Sequence, residues 1–298
     1  MCAESIRQFW DCADGDSLMC ALRGIGLLMG LMLVAPGAWS ADVEIPDANL
    51  DTVIREILKK KQIDKLDKAK KITEEDLATI YIFDASKRDI ENIAGLDKCK
   101  NLAQVKLTGN RIKDVTPLAE CTNIQSLDLA KNQIADIAPL GKLVKLQYLQ
   151  LEDNQVPNIE PVAALKALSA LYLSRNQVES VAPVAELPKL TSLYLEKNKV
   201  SDIAPLASVI WLSSLDLKDN QVKDVTPLAS LTELRWTFLE RNQITEIAPL
   251  VAAAKKDAEG DKRYAPYWNL YLSGNPLNDA AKGDLATLKQ IGVRVHYE

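Results

Sequence analysis

Residues 190–211 read LTSLYLEKNKVSDIAPLASVIW, the preceding 22 (168–189) read LSALYLSRNQVESVAPVAELPK, and the following 22 (212–233) read LSSLDLKDNQVKDVTPLASLTE. Asn176, Asn198 and Asn220 hold the same place in the three lines, and the interval extends both ways through Asn110, Asn132, Asn154 and Asn242 at a strict spacing of 22. Counting back from each asparagine, apolar residues stand at −8, −5 and −3; counting forward, Ile or Val stands at +2 and +5, Pro at +7 and Leu or Val at +8. An earlier, degenerate copy carries Ile80, Phe83, Ala85, Ile90, Ile93 and Leu96 with Arg88 in the asparagine's place, and a final copy carries Tyr267, Leu270, Leu272 and Asn275 as its inward set. A fixed period of this length is the mark of stacked coils, here nine turns between residues 80 and 275.

The fixed letters have physical roles. Residues −5 and −3 lie on one face of a short strand, so both point inward while −6 and −4 point out. A single turn cannot bury its apolar face; stacked turns share a continuous core. An asparagine amide donates and accepts at once, so it can satisfy backbone groups stranded inside the bend, where a leucine would leave them unpaired at about 1–3 kcal/mol each. Proline fixes φ and lacks an N–H. With 22 residues per turn, the side opposite the strand has room for a 3₁₀ or extended segment only. At about 4.8 Å per strand the nine turns should span roughly 40 Å.

The pattern LxxLxLxxNxI/VxxI/VxPL/V is that of leucine-rich repeats, and its 22-residue form resembles the internalin family of bacterial surface proteins. Asn132–Leu140 (NQIADIAPL) and Asn198–Leu206 (NKVSDIAPL) carry the resemblance, as do the flanks IPDANLDTVIREILKK and ITEEDLATI, which look like the helical cap opening internalin repeat domains. It covers residues 44–298. It implies a secreted bacterial protein whose curved repeat domain binds another macromolecule. No LPxTG-type wall anchor and no immunoglobulin-like module follows the repeats, so host-cell invasion is not carried over.

The ends can be read without that resemblance. Leu50, Val53, Ile54, Ile57 and Leu58 form one helical stripe with Asp47 or Asn49 to cap it, Thr73 with Asp76 resembles a capping box, and Ile72 with Leu77 is a candidate staple. At the far end Leu277, Ala281, Leu285 and Leu288 predict a helix stopped by Gly292, before a strand over Val293–Val295. The expected organisation is an α/β solenoid, a right-handed coil with a parallel concave sheet and a 3₁₀ or extended convex side. A helical cap covers 41–79, repeats fill 80–275 with an insertion at 251–266, and a second cap covers 276–298.

Composition bounds the function. With 47% hydrophobic and 26% charged residues the sequence is that of a globular protein, and a net charge of −5 from 36 basic and 41 acidic residues points away from nucleic acid. The one histidine, His296, stands near the last position, which leaves no triad, no histidine–metal set and no cofactor motif to propose. Before the repeats, Arg23, the apolar run Ile25–Val34 and Ala38-Trp39-Ser40 read as a secretory signal over 19–40, with translation starting at Met19 and no integral span in the mature chain. Export to the periplasm, cell surface or medium is expected. Cys99 and Cys121 both stand at −11, one turn apart and facing inward. They are either buried thiols filling the core or a disulfide between neighbouring coils, and both roles are structural.

The changing letters carry recognition. The −4 column reads Asp84, Lys106, Asp128, Gln150, Tyr172, Tyr194, Asp216, Phe238, Tyr271; the −6 column includes Tyr148 and Trp236. Thirteen aromatic residues follow residue 40, and six of them occupy these eighteen outward places. An aromatic ridge on a rigid sheet has the composition of an interface centre, although tyrosine and phenylalanine suit strand surfaces in any case. Thr237 replaces the inward leucine between Trp236 and Phe238, and a shifted turn there would put both rings into the core instead. The −1 column, with Arg175 and Lys197 among its cations, and Glu152, Glu196 and Glu240 at −2 frame a polar rim. The sequence therefore reads as an exported, monomeric, non-enzymatic binding module that takes a protein partner through Tyr148, Tyr172, Tyr194, Trp236, Phe238, Tyr271, Arg175 and Lys197. A glycan on the same rings is the alternative. The segment 251–266 reads as a tolerated surface insertion or a further contact loop.

Overall fold

In a computed structural model of the protein, residues 42–297 are described. The secretory-signal reading of 1–40 lies outside them. The N-terminal cap begins with β1 (Asp42–Val43), paired antiparallel with β2 (Ile72–Thr73) around α1 (Ala48–Lys60). Of the two candidate caps, Asp47 is the one used: its carboxylate accepts from the N–H groups of Asn49 and Leu50. Its other oxygen accepts from Glu91 and Asn92 at 2.9 and 3.1 Å, tying the helix to the first coil. Burial pushes the Asp47 carboxyl up, but these four N–H groups outweigh it and hold it below its usual range. Leu50, Val53, Ile54 and Leu58 are buried. The capping box of Thr73 and Asp76 opens α2 (Glu74–Ala78), and Ile72 and Leu77 are both buried.

Each repeat then contributes one three-residue strand: β3 (Ile82–Asp84), β4 (Gln104–Lys106), β5 (Ser126–Asp128), β6 (Tyr148–Gln150), β7 (Ala170–Tyr172), β8 (Ser192–Tyr194), β9 (Ser214–Asp216), β10 (Trp236–Phe238) and β11 (Asn269–Tyr271). A tenth, β12 (Arg294–His296), completes a ten-stranded sheet in chain order, every neighbouring pair parallel. In the seven regular repeats the residues at −8, −5, −3, +2, +5 and +8 are at most 2% exposed, so the core is one continuous column. The asparagines line its edge. Asn198 Nδ2 donates to the carbonyls of Leu195 and, one turn earlier, Leu173 at 3.0 and 2.9 Å, while its Oδ1 accepts from Val178 N–H at 2.9 Å. The same three bonds recur at Asn132, Asn154, Asn176, Asn220 and Asn242, so each amide joins two coils.

Opposite the strands lie five-residue 3₁₀ turns such as Thr116–Glu120, Ala138–Lys142 and Ala204–Ser208, each with its proline in the first turn. The residue at +4 starts each one: Asp114, Asp136, Asp202 and Asp224 accept from the N–H two residues on at 2.8 Å. The last coil departs from this plan. Its extra residues do not bulge out as a loop; most of them extend the convex segment into α3 (Ala248–Glu259), which buries Leu250, Val251 and Ala254. This helix packs on the 3₁₀ turn Thr226–Ser230 and on α4 (Asp279–Ile291). Asp257 accepts from the N–H groups of Arg263, Tyr264 and Ala265 and turns the chain back toward the sheet. The inward residue opening the final strand is Trp268, 1% exposed, whereas Tyr267 stands out at 57%, one position from the place its spacing assigned. Gly292, at φ +107, stops α4 as expected, and the following strand starts one residue later than expected.

Candidate binding face

The register decides which side chains meet. Tyr172, Tyr194, Asp216, Phe238, Tyr271 and His296 face one another across successive parallel strands. Tyr172 and Tyr194 stack with centroids 4.8 Å apart and planes 13° apart; Tyr148, opposite the small Ala170, leans across to 5.3 Å from Tyr172. All three rings are half-buried. Burial, and then the neighbouring phenol, pushes the Tyr148 and Tyr172 hydroxyls above their ordinary range.

The second group comprises Trp236, Phe238, Tyr271 and His296. Phe238 lies 4.6 Å from Tyr271, which lies 4.1 Å from His296 with the planes 7° apart. The register through Thr237 is unshifted, Trp236 opposite Ser214 and Phe238 opposite Asp216, so both rings stay outside. Thr237 is fully buried, and Trp268 fills the space that a leucine would occupy, its Nε1–H donating to Thr237 Oγ1 at 2.8 Å. His296 escaped the count back from the asparagines because it lies after Asn275, the last one used in that count. The strand expected over Val293–Val295 stops one residue short of it, while β12 runs through His296.

Of the charged pair singled out in the sequence, Arg175 is committed within the sheet. It pairs with Glu152, with Asp153 through Nε (2.5 Å) and Nη2 (3.1 Å), and with Glu196 at 3.3 Å. Lys197 reaches Glu196 at 3.7 Å but keeps 55% of its side chain exposed. Asp219 is claimed by Arg241, whose hydrogen bond holds the carboxyl below its usual range. Asp216 is different. It is 5% exposed, Lys218 Nζ stands 3.4 Å from it, and burial pushes its carboxyl up. Burial likewise pushes up Glu240, whose Oε2 is buried without a hydrogen-bond partner. Cys99 and Cys121 are buried free thiols, each pushed up to about 12 by burial, and Cys121 Sγ–H donates to Leu96 O. Among the described residues no three His, Cys, Asp or Glu are placed to hold a metal, and no helix is long and apolar enough to cross a membrane.

Comparison with known proteins agrees with the architecture. The family described as leucine rich repeats (2 copies) matches residues 122–164 and 166–208. No curated protein matches the sequence. Internalin C2 of Listeria monocytogenes is 25% identical, with a TM-score of 0.63 over 85% of this chain and 94% of that one. A leucine-rich repeat protein of Leptospira interrogans is 20% identical (TM-score 0.58, 68% of this chain, 56% of that one) and shares the fold. So does the leucine-rich repeat ectodomain of a plant membrane receptor kinase from Arabidopsis thaliana, solved in complex with Casparian strip integrity factor 2, at 22% identity and a TM-score of 0.55 over 66% of this chain and 23% of that one. The same fold thus serves there to hold a partner. This chain is an internalin-like leucine-rich repeat protein.

Proposed function

We propose that the chain is an exported, non-enzymatic binding module that holds a protein partner on the concave face of its sheet. The observation that carries this reading is the ring column: Tyr148, Tyr172 and Tyr194 in one stack and Trp236, Phe238, Tyr271 and His296 in another, all on outward strand positions. Stacked coils fix these side chains before any partner arrives, so little ordering entropy is left to lose on contact. Aromatic residues at a desolvated centre are what protein interfaces select. The stacking also weighs against a sugar. Tyr172 has Tyr148 on one side and Tyr194 on the other, and Tyr271 lies between Phe238 and His296, so they offer edges and hydroxyls rather than open faces.

The test uses the purified chain as bait in envelope extract and culture fluid of the producing organism. Tyr172→Ala with Tyr194→Ala should abolish capture of the partner and leave the unfolding transition in place. Capture that persists in the double variant overturns the reading. Capture that survives protease treatment of the extract but not periodate oxidation gives the face to a glycan.

A further inference from the structure

The ring column running from β7 to β12 is broken once, at Asp216. Tyr194 on β8 and Phe238 on β10 stand either side of it, in register. Two strand spacings set these positions about 9.6 Å apart, room for one flat group between two ring faces. Tyr172 backs Tyr194 and Tyr271 backs Phe238, so the faces turned toward the break carry no other ring. One of them already carries a cation: Lys218 Nζ lies 5.2 Å from the Phe238 centroid while reaching Asp216. Glu240 stands in the field of both Lys218 and Arg241, but its buried Oε2 has no hydrogen-bond partner. The other charges nearby are committed elsewhere, Glu196 to Arg175 and Lys197, and Asp219 to Arg241. The notch has aromatic walls and an acidic floor, and holds one buried carboxylate oxygen that no donor reaches.

We infer that this notch seats an arginine of the protein partner, its guanidinium entering flat between Tyr194 and Phe238 and donating to Asp216 and to the free oxygen of Glu240, while the Lys218 ammonium swings out to water. The inference rests on the concave face being the binding surface. Arginine suits the notch better than lysine because its planar head stacks on rings and donates to two oxygens at once. Lys218 is then a built-in competitor: Asp216, 5% exposed, becomes reachable only when that flexible side chain leaves.

The competition makes the test selective. N-acetyl-arginine amide and its uncharged isostere N-acetyl-citrulline amide are titrated into the purified chain while the Tyr194 and Phe238 ring resonances are followed by NMR. The arginine probe should shift both rings saturably and the citrulline probe neither. Asp216→Asn and Glu240→Gln should each weaken the arginine probe by about fivefold, and Lys218→Ala should tighten it by about fivefold, the scale of one partly screened ion pair. Equal responses to the two probes overturn the inference, as does a Lys218→Ala variant that binds no better. If Asp216→Asn disturbs folding, the Lys218→Ala arm decides. The two readings fail separately. Absent arginine binding with capture still lost in the double tyrosine variant removes the notch and keeps the face, and capture that survives the double variant removes the face.

Discussion

The regular coils between Leu102 and Asn242 and the final coil from Gln243 to Asn275 reach one sheet register by different means. In the regular coils 22 residues separate successive asparagines; in the final one 33 do. Yet Thr237 pairs with Leu270 as directly as Leu193 pairs with Leu215. The extra residues go to the convex side as α3, and Asn275 still donates to Leu239 and Leu272 and accepts from Ile244. Register is therefore set by the strand and asparagine contacts shared between coils, while the length of the convex segment is free to vary. Where the two regions meet, the core is repacked: leucine or valine fills the −5 place in the other regular coils, but in the last regular coil Thr237 stands there, and Trp268 of the final coil packs on it.

Removing an amide from each region would test that claim most severely. Asn198→Leu strands the Val178 N–H and takes one donor from each of the Leu173 and Leu195 carbonyls, which keep Asn176 and Asn220 respectively. At about 1–3 kcal/mol for the unpaired N–H and about 1 kcal/mol for each of the two lost bonds to carbonyls, the cost should be on the order of 4 kcal/mol in urea unfolding. Asn275→Leu breaks three similar bonds, the one from Ile244 N–H already 3.2 Å long, beside an end of the stack that can relax. About 2 kcal/mol is expected there. A mid-stack loss below 1 kcal/mol would mean that leucine packing alone fixes the register.

Much of this was legible in the sequence because stacking enforces repetition: a residue that must meet its own copy one coil later leaves a period. The inward leucines, the asparagines, the proline-started 3₁₀ turns and the outward tyrosines all carry that period. What breaks it was read less well. The stretch PLVAAAKKDAEG holds a helix signal, with Pro249 in the first turn, alanines within and Gly260 at the end. Its excess length drew the reading toward a loop. Trp268 displaced Tyr267 because Thr237 left both volume and an acceptor for an indole N–H, a coupling between coils that no spacing records. On the binding face, spacing placed the rings on outward positions, but whether Arg175 was free depended on Glu152, Asp153 and Glu196 closing around it.

That coupling yields a prediction opposite to the consensus. Leucine is the ordinary residue at −5, so Thr237→Leu would pass for a repair. Trp268, 1% exposed, already fills that space, and the larger side chain removes the acceptor of its N–H at 2.8 Å. Overpacking and the unpaired donor together should cost about 2 kcal/mol in urea unfolding. A neutral or stabilised variant would show that Trp268 does not depend on Thr237 and that the final coil follows the regular rule.

The smallest effect lies in the −1 column, where the two regions share a backbone strain and relieve it differently. Lys131, Asp153, Arg175, Lys197, Asp219 and Arg241 all adopt φ between 54° and 57°, the left-handed region that side chains ordinarily avoid. Lys87 in the first copy does the same at φ 57°, and only two places in the column are glycines, Gly109 at φ +73 and Gly274 at φ +76. The conformation is held by a bond across to the next coil: Lys131 N–H donates to Glu152 O, and Arg241 N–H to Ser273 O. Lys131→Gly should therefore keep its bond, shed the Cβ strain, and gain about 0.5 kcal/mol after the entropy a glycine loses on folding. Gly274→Ala should do the reverse and do it harder, because its Cβ would also come within 2.9 Å of Arg241 Cγ. A loss of about 1–2 kcal/mol is expected there, read as a shift in the urea midpoint at constant slope. Equal and negligible changes at both positions would mean that the bend relaxes freely, and that the asparagine beside it, rather than the left-handed residue, carries the geometry of the turn.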